Sequence, residues 1–132
     1  MGRPGIRSLV WVAVFALIAV ACGDDDSLDT SLEVTATDFE FTPNSYRLPA
    51  NTEASLTFKN DGAVEHEWVI MTSPIDNESE FEEDLVLWEE EVEAGEEKTV
   101  TIPPLEPGTY QIICGLEGHF TAGMEGELVV ES

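Results

Sequence analysis

The chain has 132 residues, 28 of them acidic and 5 basic, for a formal charge of −23. That length holds one domain with a real core. The charge argues against nucleic acid as a partner, because no basic stripe is present to meet phosphates; it favours a cationic partner, high salt or an acidic setting.

Met1 to Ala21 reads as a targeting segment. Arg3 and Arg7 supply a positive start, Leu9 to Val20 is unbroken apolar sequence, and Asp24-Asp25-Asp26 follows at once. The apolar run is short for a membrane-spanning helix, which needs about 20 residues, and suits the core of a secretory signal peptide. An uncleaved N-terminal anchor is the competing reading. Its end, Ile18-Ala19-Val20-Ala21-Cys22, resembles a bacterial lipobox. That resemblance implies cleavage before Cys22, a lipid on its thiol and an extracytoplasmic, membrane-anchored lipoprotein at the cell surface or in the periplasm. Residues 22–30 are then a polar tether, and residues 31–132 the folded domain. Lipidation of Cys22 leaves Cys114, the second of two cysteines, without a partner. A lone thiol in an oxidising compartment calls for something to hold it, and a metal would. A Cys22–Cys114 disulfide is the alternative.

From Leu32 the chain alternates, with Leu32, Val34 and Ala36 set against Glu33, Thr35 and Thr37, as in a strand with one buried face. The phase slips near Thr37-Asp38, before Phe39 and Phe41, which suggests a bulge. Tyr46 to Leu48 and Ala54 to Lys59 are further strands. Val64 to Met71 is denser in apolar residues, as a central strand is, with Trp68, Ile70 and His66 on one face. Residues 76–97 carry 12 acidic side chains and no basic one, yet keep Phe81, Leu85, Val86, Leu87, Trp88 and Val92. This reads as a long excursion, partly strand from Leu85 to Val92. Its apolar residues pack on the body with many of its carboxylates solvated; the favoured alternative is a solvated charge run with no partner. Thr99 to Ile102, Tyr110 to Cys114 and Glu127 to Val130 complete seven to eight strands, an all-β antiparallel sandwich.

The last loop, CGLEGHFTAGMEG, brings Cys114, His119 and Met124 at five-residue steps between two strands. The only other histidine is His66. One thiolate, two imidazoles and a thioether are the ligand set of a blue-copper site, in which a weak axial thioether tunes the potential. Cys, two His and a nearby Glu65 or Glu67 would also suit zinc. Two histidines are too few for a multicopper centre, and nothing marks an oxyanion hole or substrate pocket, so the chain is read as no enzyme.

The stretch PGTYQIICGLEGHFTAGMEGELVV (Pro107 to Val130), with NDGAVEHEWVI (Asn60 to Ile70), resembles a bacterial cupredoxin of the plastocyanin/azurin type. The resemblance implies a Greek-key β-sandwich holding one copper per chain. His66 and His119 would bind through imidazole, Cys114 through thiolate and Met124 axially, with the Glu65 carbonyl as a further weak axial contact. It implies a monomeric one-electron carrier whose redox partner proteins dock over His119, within an apolar patch of Leu116, Phe120 and Ala122. The acidic surface would steer basic partners. A copper chaperone or store on the same fold is the alternative. Many members follow the first His with an Asn that pins the ligand loops; this chain has Glu67.

Overall fold

The computed structural model describes residues 1–2 and 28–132. Apart from Met1 and Gly2, the targeting segment lies outside the described residues, and so do Cys22 and most of the tether. Among the described residues no helix is long and apolar enough to cross a membrane.

Among the described residues nine strands form two sheets. They are β1 (Ser31–Thr37), β2 (Glu40–Thr42), β3 (Ser45–Pro49), β4 (Ala54–Asn60), β5 (His66–Met71), β6 (Val86–Val92), β7 (Glu97–Ile102), β8 (Gly108–Ile113) and β9 (Glu125–Glu131). One sheet runs β2-β1-β4-β7 and the other β3-β9-β8-β5-β6. The count exceeds the expected seven to eight because the phase slip at Thr37-Asp38 is a tight turn and not a bulge. There β1 folds back on β2, pairing Thr37 with Glu40. Nor is the sandwich wholly antiparallel. β1 runs parallel to β4 and β3 parallel to β9; no hairpin links either pair, so no tight turn forces them antiparallel.

The period-2 pattern explains which faces meet. Leu32, Val34 and Ala36 of β1, Leu56 and Phe58 of β4, Trp68 and Ile70 of β5 and Leu128 and Val130 of β9 all point into one core. Full burial of each large side chain stabilises the fold by about 1.5–3 kcal/mol, so this interface dominates the packing. Val69 and Met71 point the other way and join Ile75 and Ile113 in a smaller cluster, covered by Phe81, Leu85, Val86 and Phe120. The acidic excursion is thus a strap over the outer face of the second sheet. Two single-turn 3₁₀ segments, Glu78–Glu80 and Glu83–Leu85, carry it to β6.

Candidate metal centre

The centre lies where β5 begins and β8 ends. These strands are antiparallel neighbours, with Val69 opposite Ile113 and Ile70 opposite Ile112. The first residue of β5, His66, and the residue after β8, Cys114, therefore emerge at the same end of the sheet. Both are buried, His66 completely. From Cys114 the chain makes a compact coil back to β9. Gly118 and Gly123 sit at φ +86° and +97°, backbone positions that side-chain-bearing residues rarely take. The His119 carbonyl accepts the Met124 amide at 3.1 Å, and the Met124 carbonyl accepts the Cys114 amide at 3.1 Å. This ring of backbone bonds turns His119 back over the thiol and fixes Met124, which is fully buried, beneath the loop.

The result is a tight donor set. Cys114 Sγ is 3.2 Å from His119 Nδ1, and the two Nδ1 atoms of His66 and His119 are 3.2 Å apart. The donor atoms of His66, Cys114 and His119 all lie within 4.8 Å of one another. Two nitrogens that each bind one ion at about 2.0 Å present such a spacing. The backbone N–H of Glu67 donates to Cys114 Sγ at 3.4 Å. Burial pushes the Cys114 thiol above its ordinary pKa, only partly offset by that N–H. Burial, and then the neighbouring His66 ring, hold His119 below the usual histidine range. Metal-free, the site thus disfavours both the thiolate and the imidazolium; a cation would displace the thiol proton and take up the free imidazole lone pairs. A soft sulfur with two imidazoles fits copper.

Several supporting side chains carry no sequence signal of their own. Asp38, in the β1–β2 turn, meets His66 Nε2 at 2.8 Å through Oδ1 and accepts the Ala63 amide at 2.9 Å through Oδ2. The Ala63 amide, and then His66, hold its carboxyl below the usual aspartate range. Phe39, 42 % exposed, sets its ring edge-to-face against His119, centroids 4.8 Å apart. Asn60, fully buried, donates to the carbonyls of Val64 and Val92 at 2.8 and 2.9 Å and accepts the Gly62 amide at 2.8 Å. It thereby ties the approach to His66 to β6.

One expectation needs correction. The carboxylates of the excursion are not all solvated without a partner: Glu78 accepts hydrogen bonds from the Gly118 amide and the Thr121 hydroxyl, gripping the loop on both sides of His119. Of the apolar trio expected around His119, Leu116 is partly buried against the main core, Phe120 is partly buried against the smaller cluster, and Ala122 is exposed. Phe39 is a further large exposed apolar neighbour. The Glu67 side chain lies over Gly115, where an added Cβ would meet its Oε2 at 2.5 Å. Burial, reinforced by Glu89, Glu91, Glu65 and Glu83, pushes its carboxyl up to about 7.

The Cupredoxin-like domain family matches residues 8–130. Auracyanin-B of Chloroflexus aurantiacus is 32% identical over 109 residues, 68% of this chain and 46% of the relative. The chain thus spans about half the length of the curated relative it matches. A solved structure of auracyanin B superposes with a TM-score of 0.66 at 32% identity, covering 77% of this chain and 88% of that one. Reduced auracyanin from Roseiflexus castenholzii gives a TM-score of 0.69 at 21% identity, over 79% of this chain and 98% of that one. At that identity the likeness concerns the fold alone.

Proposed function

The chain belongs to the cupredoxin-like family, and from that premise we propose that it is a blue copper protein carrying single electrons. His66, Cys114 and His119 would hold one copper, with Met124 as the weak axial ligand. The observation that carries this reading is the convergence of a thiol and two imidazole Nδ1 atoms within 4.8 Å, from strand ends that only the fold brings together. When bound, copper supplies the one-electron couple. The protein's part is to keep the donors from moving as the charge changes. β5 fixes His66, the Glu67 amide faces the Cys114 sulfur, and the glycine turns and Glu78 hold His119. Rigid donors leave little to rearrange when an electron arrives or departs. His119, half-buried beside the exposed Phe39, is the donor nearest the surface and the point of electron entry.

Residues 1–21 are proposed as a lipoprotein signal peptide, Cys22 as the lipidated residue and residues 22–30 as the tether, placing a monomeric carrier at the extracytoplasmic face of a membrane. A charge of −23 suits basic redox partners, whose encounter slows as salt is added. The test is a redox titration of the copper-loaded protein, with copper analysis. One copper per chain, cycling reversibly between two states without loss of metal, is expected. More than one copper, or facile loss on reduction, would mark a copper-handling protein instead.

A further inference from the structure

The β1–β2 turn supplies none of the four candidate donors. It touches both imidazoles: Asp38 meets His66 Nε2 at 2.8 Å, and Phe39 meets the His119 ring at a 4.8 Å centroid separation and a 67° interplanar angle. Resting on the copper reading above, we infer that Asp38 is a positioning residue: its carboxylate fixes the His66 tautomer and biases the site toward the oxidised metal.

A neutral imidazole carries one N–H, and the nitrogen that keeps it cannot bind metal. A carboxylate oxygen only accepts, so Asp38 Oδ1 requires the His66 proton to sit on Nε2. The Nδ1 lone pair is then bare and faces His119 Nδ1 and the thiol. The other oxygen is committed to the Ala63 amide at 2.9 Å, so the carboxylate cannot swing away without giving up a backbone donor. Space is closed around the pair as well. A Cβ on Gly62 would stand 2.3 Å from Asp38 Oδ1 and 2.8 Å from His66 Nε2, so the loop's one residue without a side chain lies where the pair needs room. The Asp38 side chain is 29% exposed while His66 is fully buried, which puts the negative charge at the edge of the site, one imidazole away from the metal. A carboxylate behind a ligating histidine raises ligand basicity and favours the higher metal charge, so it lowers the reduction potential.

The test compares wild type with Asp38→Asn, which keeps the shape and removes the charge. In the metal-free protein at neutral pH, nitrogen NMR of His66 is expected to show the proton on Nε2, protected from exchange and shifted downfield. In the copper-loaded protein, Asp38→Asn is expected to raise the reduction potential, by about 59 mV for each tenfold loss of preference for the oxidised metal. A wild-type proton on Nδ1 would overturn the inference. So would a potential unmoved in Asp38→Asn while the variant stays folded and blue, since a mere loop tie would alter stability alone. If Asp38→Asn does not fold, the wild-type tautomer decides. If wild type takes up no copper, the copper reading falls while the tautomer measurement still judges the role of Asp38.

Discussion

His66 and His119 present the same side chain to the same centre from scaffolds of opposite kinds. His66 opens a central strand, is fully buried, and is held from behind by a carboxylate. His119 rides a coil of glycine turns, is half-buried, and is held from outside by an aromatic edge and, through its neighbours, by Glu78. The first depends on the packed sandwich and the second on local backbone geometry. A site divided in this way can anchor one side rigidly while bringing the other to the surface, where an electron must enter.

The largest expected effect comes from removing the buried member. His66→Ala leaves a cavity within the core and should cost the metal-free protein about 2–4 kcal/mol in urea unfolding, whereas His119→Ala should cost well under half as much. Equal losses would erase the proposed division. Next comes Gly62→Ala, whose added carbon would collide with Asp38 and His66. It should cost about 1–3 kcal/mol by overpacking and weaken metal uptake, measured by competition with a chelator.

A smaller effect tests the electrostatics beside Cys114. Glu67 has a folded pKa of about 7, above the ordinary 4.5. The native state therefore holds more protons than the unfolded one between those values, and stability falls as pH rises through that window. Glu67→Gln should flatten this fall in the metal-free protein and gain on the order of 1 kcal/mol at pH 8, the side chain being partly exposed and screened. Thermal melts at pH 5 and pH 8 check it, and a loss at pH 8 would reverse the sign. The smallest effect concerns the loop alone. Glu78→Gln should speed hydrogen exchange at the Gly118 amide while leaving the β5 amides unchanged; equal acceleration in β5 would show that the two halves are not separately held.

The strands were legible because one face of each is buried and period-2 alternation records that directly, as in Leu32, Val34 and Ala36. The candidate donors stood out by chemical type, a lone Cys with two His and a Met among glycines. What escaped the sequence was whatever depends on contacts between distant segments. Asp38 lies 28 residues from His66 and Glu78 40 from Gly118, and neither differs in type from the other acidic residues around it. The hairpin at Asp38 was seen only as a slip of phase, because a two-residue turn and a bulge disturb alternation in the same way. The parallel pairs are invisible to alternation, which reports faces and not strand direction.

The most direct measurement is the visible absorption and electron paramagnetic resonance of the protein titrated with Cu(II), alongside Cys114→Ser. One equivalent should generate an intense blue thiolate-to-copper band with a narrow copper hyperfine splitting, and both should be absent in the variant while its β circular dichroism is retained. A colourless adduct, or a band that survives the loss of the Cys114 sulfur, would contradict the account.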